Sequence, residues 1–95
     1  PEDTLPIIND VIEFFPNPFH ETLNLEYFSL KDQKVSLSLQ NILGQSILAE
    51  EIQLTKGFNS YIFTWDALKT LVRGAYIMEI NTENGKKKHK MIKQF

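Results

Sequence analysis

Hydrophobic and polar residues alternate along most of this 95-residue chain. In one such segment Leu23, Leu25 and Tyr27 are separated by single polar residues. Successive side chains of a strand point to opposite sides of a sheet, so each alternating segment gathers its apolar residues on one face. The pattern predicts seven short antiparallel strands, at residues 10–15, 22–28, 34–41, 46–53, 58–65, 74–82 and 86–93.

Turn-forming residues separate these predicted strands. Pro16-Asn17-Pro18 breaks the chain after the first strand, because proline neither continues a helix nor donates a hydrogen bond to a sheet. Gly44 and the Asn-Gly pair at 84–85 favour tight turns, because glycine accepts positive φ angles. Residues 66–73 are predicted as a helix of one or two turns, with Asp66 as its N-cap and Gly74 at its exit.

Seven strands spaced about a dozen residues apart predict an all-β fold, an immunoglobulin-like antiparallel β-sandwich of two sheets. Tyr76 follows Leu71 and Gly74 at a spacing that resembles the tyrosine corner of such sandwiches. The other interpretation is that Tyr76 is an ordinary core residue. Residues 1–9 lack the alternation and are interpreted as a linker from an upstream domain, which leaves 10–95 as the folded domain.

Composition limits the chemistry open to the chain. It contains no cysteine, which excludes disulfides, thiolate metal ligands and cysteine nucleophiles. His20 and His89 do not lie at metal-ligand spacing, and the neighbours Glu50 and Glu51 point to opposite faces of a strand. No apolar run approaches the roughly 18 residues of a membrane span. We expect no catalytic site, metal site, cofactor or membrane insertion.

Charge is divided unevenly along the chain. The net charge of −2 combines −7 over residues 1–66 with +5 over residues 67–95, and five of the ten Lys and Arg residues lie in the last ten positions. Two interpretations fit: an anionic partner, or acidic and basic strands that neutralise each other within one sheet. Nucleic-acid binding is not expected, because the overall charge is negative and the basic segment has no aromatic residue before Phe95.

The alternating aromatics Tyr61, Phe63 and Trp65 also have two interpretations. Strict alternation favours a place in the core. If the three rings were exposed, they would form a stacking platform for a sugar. A carbohydrate-binding or adhesive β-sandwich of a secreted protein is therefore the competing functional class.

Four short motifs occur in an order that is typical of one protein family. They are Phe15-Pro16-Asn17-Pro18-Phe19, Asn41-Ile42-Leu43-Gly44-Gln45, the segment from Leu68 to Gly74-Ala75-Tyr76, and Lys90-Met91-Ile92-Lys93. Each motif is weak alone, but together over about residues 12–95 the chain resembles the C-terminal sorting domain of the bacterial type IX secretion system. Phe15 stands where that family more often has Tyr, and Asn41 where it more often has Asp.

The resemblance implies a non-catalytic secretion signal that directs an upstream cargo protein through the type IX outer-membrane translocon. The partners it implies are the translocon, shuttle proteins and a cell-surface sortase, with proteolytic removal at residues 1–9 or further upstream. The cargo would pass through the periplasm to the outer-membrane surface or the medium. The cargo's identity, the cleavage site and the oligomeric state stay open.

Residues 86–95 are predicted to form an edge strand whose lysine-rich face is recognised by the secretion machinery. Edge strands present side chains and backbone groups together, and a partner strand can extend them. The alternative is that the lysines guard an exposed edge against aggregation. The predicted recognition residues are Lys86, Lys88, Lys90, Met91, Ile92, Lys93 and Phe95. The predicted structural residues, whose substitution would act through stability, are Phe15, Pro16, Asn17, Pro18, Gly44, Gly74 and Tyr76.

Overall fold

The computed structural model of the chain describes residues 11–83 and 85–94. It confirms an all-β fold, and each strand begins and ends within two residues of its predicted boundary. The strands are β1 (Val11–Phe15), β2 (Leu23–Ser29), β3 (Gln33–Gln40), β4 (Ser46–Leu54), β5 (Gly57–Phe63), β6 (Gly74–Thr82) and β7 (Gly85–Lys93). The predicted linker at 1–9, Asn84 of the last hairpin and Phe95 lie outside the described residues.

Two antiparallel sheets form the sandwich. The smaller sheet has the order β1-β2-β5 and the larger has the order β4-β3-β6-β7. β7 pairs with β6 from Gly74↔Lys93 to Thr82↔Gly85, and no strand of residues 11–83 or 85–94 lies on its other side, so it is an edge strand as predicted. No helix in the described part of the chain is long and apolar enough to cross a membrane.

The core lies between the sheets and is built from the alternating positions. The fully buried large side chains are Phe19, Leu23, Leu25, Tyr27, Leu37, Leu39, Leu54, Phe63, Leu68, Met78, Ile80 and Met91. Burying each such side chain contributes about 1.5–3 kcal/mol relative to leaving it in water. Two of these residues, Phe19 and Leu68, come from connections between strands, so the connections are part of the core.

The connection between β5 and β6 holds a short helix that is smaller than predicted. It is a single 3-10 turn at Asp66–Lys69. The prediction that Asp66 is its N-cap is wrong: Trp65 occupies the cap position, and no side chain caps the turn. The buried side chain of Leu68 anchors the turn instead, so tertiary packing replaces the local capping bond.

Tyr76 forms a tyrosine corner. It is buried, and its hydroxyl donates a hydrogen bond to the carbonyl of Val72, four residues upstream. Gly74 between them has φ +144°, in the region that favours glycine. The two interpretations of Tyr76 therefore combine, because the ring fills the core while the hydroxyl fixes the connection that enters β6.

Candidate functional site

The four sequence motifs meet at one end of the sandwich. Lys93, the last residue of β7, pairs with Gly74, the first residue of β6, and forms an isolated bridge with Phe19 in the β1–β2 connection. Gln40, the last residue of β3, pairs with Ile77 near the same end of β6. Segments that lie up to about 75 residues apart along the chain thus share one end, which is the first candidate for a recognition surface.

The two faces of β7 differ sharply in exposure. Lys86, Lys88 and Lys90 point outward and are exposed, whereas Met91 and Lys93 point inward and are only 1% and 3% exposed. This alternation divides the predicted recognition residues into an exposed set and a buried set. Ile92 is half-buried on the outer side. A partner that binds the outer face of the folded domain therefore meets Lys86, Lys88 and Lys90 and not Lys93.

Lys93 has a structural environment that its position in a basic segment did not suggest. Its ammonium donates hydrogen bonds to the carbonyl of His20 and, at 2.6 Å, to the carbonyl of Leu68. It also lies 5.7 Å from the centroid of the Phe19 ring. No carboxylate among the described residues forms an ion pair with it. Lys93 therefore ties β7 to two connections by hydrogen bonds to backbone carbonyls.

The outer edge of β7 is covered over its final residues by Asn17–Phe19, which we call the edge cover. The Asn17 amide donates to the carbonyl of Lys90 and accepts from the N–H of Ile92, both at 3.0 Å. The N–H of Phe19 donates to the carbonyl of Ile92 at 2.8 Å, and its carbonyl accepts from Gln94 at 2.7 Å. The Asn17 side chain thus takes the place of a peptide group in a neighbouring strand.

No described residue covers the rest of this edge. In an antiparallel strand, the backbone N–H and C=O of every second residue point away from a given neighbouring strand. The bonds of Lys90 and Ile92 to the edge cover show that in β7 the even-numbered residues point these groups away from β6. No described residue bonds the backbone N–H or C=O of Lys86 or Lys88 on this side. We call the outward backbone groups of Lys86 and Lys88, with the N–H of Lys90, the open edge.

One carboxylate opposes the outward lysines. Glu79 on β6 lies 3.5 Å from the Lys86 ammonium and 4.0 Å from that of Lys88. A hydrogen bond from Gln40, aided by these two lysines, lowers the pKa of Glu79. Neighbouring strands therefore neutralise each other in part, as one interpretation of the charge pattern predicted. Three lysines against one carboxylate still leave this face positive, with Lys90 outside any ion pair among described residues.

The β3–β4 turn is rigidly organised around Asn41. The side-chain oxygen of Asn41 accepts from the N–H groups of Leu43 and Gln45 at 2.9 and 3.0 Å, and its amide donates to the Gln45 side chain at 2.8 Å. Gly44 adopts φ +86°. The turn holds Ile42 and Leu43 in solvent at 72% and 80% exposure. Sequence reasoning assigned Gly44 to the fold but missed this exposed apolar pair.

The alternating aromatics do not form an exposed platform. Phe63 is buried, and Trp65 stacks on it with ring centroids 4.7 Å apart. Tyr61 is half-buried and donates a hydrogen bond to Glu50 of the other sheet, which raises the pKa of Tyr61. The Tyr61 hydrogen bond therefore joins the two sheets, and the aromatic residues that favoured a carbohydrate-binding module are used in packing.

His89 is the one inward-facing titratable group at the middle of β7. Its ring lies 5.0 Å from that of Phe14 on the opposite sheet, and its buried Nε2 has no hydrogen-bond partner among described residues. Burial, with a smaller effect of Lys87, lowers the pKa of His89. Within residues 11–83 and 85–94 no group of three or more His, Cys, Asp or Glu side chains is arranged to hold a metal.

Comparison with known proteins agrees with the all-β fold. The family model described as "Secretion system C-terminal sorting domain" matches residues 13–94. Among solved structures, the crystal structure of dimeric latent PorU from Porphyromonas gingivalis matches with a TM-score of 0.63 and 20% sequence identity. That match covers 92% of this chain and only 10% of the PorU chain, so it supports the fold alone. No curated protein matches the chain.

The chain belongs to the family of secretion system C-terminal sorting domains. The domain is a secretion signal of the type IX system, and its function is to direct export to the cell surface or the extracellular space. The family is one of signal domains rather than of catalysts.

Proposed function

We propose that the exposed outer face of β7 is the part of this sorting domain that the secretion machinery recognises. The face consists of Lys86, Lys88 and Lys90, which are solvent-exposed and aligned at two-residue intervals. The single observation that carries the proposal is their excess of positive charge on an edge strand whose outer backbone groups at Lys86 and Lys88 no described residue covers. Electrostatic complementarity of this kind selects partners and accelerates encounter.

The partners in this proposal are an outer-membrane translocon and the shuttle proteins of the type IX system, followed by a cell-surface sortase. Residues 1–9 serve as the linker to an upstream cargo domain, and cleavage falls there or further upstream. The domain itself performs no catalysis. Among the described residues, the buried titratable groups have structural roles: Lys93 donates a hydrogen bond to the carbonyl of Leu68, and His89 packs against Phe14.

Met91 and Lys93 support recognition indirectly. Met91 fills the core, and Lys93 joins β7 to the carbonyls of His20 and Leu68. Their substitution would disturb the strand on which the exposed lysines stand. Deleting residues 86–95 would remove core side chains together with the recognised face, so point variants separate recognition from folding better than truncation does.

The test is an export assay in a bacterium with a type IX system. A reporter with an N-terminal signal peptide is fused before residue 1, and the triple variant K86Q/K88Q/K90Q is compared with the unchanged domain. We expect reporter outside the cell to fall about tenfold, the equivalent of about 1.4 kcal/mol of lost binding, with the reporter retained in the periplasm.

The matched control is K31Q/K34Q/K56Q, which removes the same number of charges from exposed lysines elsewhere. It should be exported as the unchanged domain is. Thermal unfolding verifies that both variants are folded. Each surface substitution of this type should alter the free energy of unfolding by no more than about 0.5 kcal/mol. Undiminished export of the folded β7 variant would overturn the proposal.

A further inference from the structure

We propose that the open edge of β7 receives an extended, acidic segment of a secretion partner as an additional strand. This inference rests on the proposed function, because it specifies how the exposed face of β7 is bound. Strand addition uses backbone hydrogen bonds for affinity and alternate side chains for specificity. The structure supplies both on the same five residues, 86–90.

The backbone groups of the open edge are ready to pair. Those of Lys86 and Lys88 point away from β6 and have no partner among described residues, and the N–H of Lys90 completes the row. At about 3.4 Å per residue, this row is about 14 Å long. It matches a strand of four or five residues, which is close to the usual strand length in globular domains.

The edge cover fixes where such a strand ends. The Asn17 amide already occupies the carbonyl of Lys90 and the N–H of Ile92. Phe19 occupies the next outward groups, at Ile92 and Gln94. An incoming strand therefore lies along residues 86–90 and meets Asn17 at its end, which sets its register on β7 without any further contact.

The lysine side chains specify the chemistry of the partner. Lys86, Lys88 and Lys90 lie on one face at two-residue spacing, so they flank every second residue of a strand added beside them. Glu79 is the acid that approaches Lys86 and Lys88 from β6, and Lys90 has no ion-pair partner among described residues. Acidic side chains at alternate positions of the partner would pair with this row, whereas basic ones would be repelled.

Edge protection is the competing explanation of the same lysines, because charged side chains on an edge discourage strand pairing with other chains. It predicts that nothing is added to the open edge. Strand addition predicts that the outward N–H groups become hydrogen-bonded when an acidic strand is present. The two explanations therefore predict different rates of amide hydrogen exchange at the outward N–H groups when an acidic strand is present.

The first test uses the export assay with K88P and K88Q. The N–H of Lys88 points outward, so proline at 88 leaves the β6–β7 hydrogen bonds in place and blocks the open edge. We expect K88P to reduce export about tenfold and K88Q, which keeps the edge, to reduce it less than threefold. Circular dichroism and thermal unfolding verify that both variants are folded.

The combination of variants separates this inference from the proposed function. If K86Q/K88Q/K90Q loses export while folded K88P keeps it, the lysine face is recognised without strand addition and the inference is overturned alone. If both variants keep export, the proposed function fails as well. If K88P fails to fold, N-methylation of the Lys88 amide in a semisynthetic chain replaces it in the same assay.

The second test uses the 95-residue chain and two synthetic ten-residue peptides. One peptide alternates Glu with Val or Thr, and the other has Lys in place of each Glu. With the acidic peptide we expect amide exchange at Lys86 and Lys88 to slow at least tenfold, with no slowing for the basic peptide. Unchanged exchange at these amides, when the acidic peptide is at millimolar concentration, would overturn strand addition.

Discussion

At the scale of single residues, Lys93 shows how burial changes the role of a side chain. It ends a basic segment, yet it is 3% exposed and hydrogen-bonds two carbonyls from separate connections. A buried ammonium is costly unless its donors are satisfied, and the carbonyls of His20 and Leu68 would in turn lose a donor without it. The residue therefore acts on the fold, while its neighbours on the outer face lie in solvent.

We predict that K93M destabilises the domain by about 2 kcal/mol, because methionine keeps the length of the side chain but leaves two carbonyls without their donor. K90M, at an exposed position, should change stability by no more than about 0.5 kcal/mol. Urea unfolding followed by circular dichroism measures both. Equal effects of the two substitutions would contradict the structural role of Lys93.

At the scale of elements, the outer edge of β7 has a covered part and an open part. From the carbonyl of Lys90 onward, Asn17 and Phe19 cover the outward backbone groups, whereas no described residue covers those of Lys86 and Lys88. The prolines on either side of Asn17 follow cis peptide bonds, and the segment crosses from the smaller sheet to the edge of the larger. The motif Phe15-Pro16-Asn17-Pro18-Phe19 therefore does more than separate β1 from β2, because it closes half of an edge.

We predict that N17A destabilises the domain by about 1–2 kcal/mol, the sum of two side-chain to backbone hydrogen bonds of about 0.5–1 kcal/mol each. Amide exchange at Ile92 should accelerate, since its N–H loses the Asn17 oxygen. E21A, an exposed substitution in the same connection, is the control and should leave Ile92 unchanged. An unaltered Ile92 exchange rate in N17A would show that the edge cover does not depend on the amide.

At the scale of the whole molecule, the two sheets are joined by a few specific contacts in addition to apolar packing. His89 on β7 meets Phe14 on β1, and Tyr61 on β5 donates to Glu50 on β4. Each contact includes a group whose pKa the fold displaces, upward for Tyr61 and downward for His89. The stability of the sandwich therefore depends on pH through one titratable group in each sheet.

We predict that stability falls as pH drops below about 6.5, the ordinary pKa of histidine. The folded state lowers the pKa of His89, so the unfolded chain binds the proton first and protonation favours unfolding. One proton contributes a slope of at most about 1.4 kcal/mol per pH unit. Urea unfolding of the unchanged domain at pH 5 to 7 should show this slope, and H89F should flatten it.

H20Q is the control, because it replaces the exposed histidine of the β1–β2 connection and leaves His89 in place. A slope that persists in H89F would assign the pH dependence to other groups. Below about pH 4.5 the protonation of Glu79, whose pKa is lowered, removes a further stabilising contribution as the pH falls through its folded value.

The sequence by itself determined the number of strands, their boundaries and the family. These depend on local alternation and turn chemistry, as in β2, where Leu23, Leu25 and Tyr27 mark the inward face. The same local signals failed for Asp66, because a buried Leu68 replaced the capping bond that Asp66 was expected to make. Alternation alone did not reveal which face of β7 the rest of the chain would cover, so Lys88 and Lys93 were predicted together as recognition residues.

Only the tertiary structure decided which part of the basic ending is available to a partner. Asn17 and Phe19 lie more than 70 residues from Lys93 in sequence, so no local pattern predicts that they close the edge beside it. Hydrogen-bond pairing between distant segments depends on how the sheets are stacked. That stacking places Lys93 in the core, leaves Lys86, Lys88 and Lys90 outside, and confines the open edge to residues 86–90.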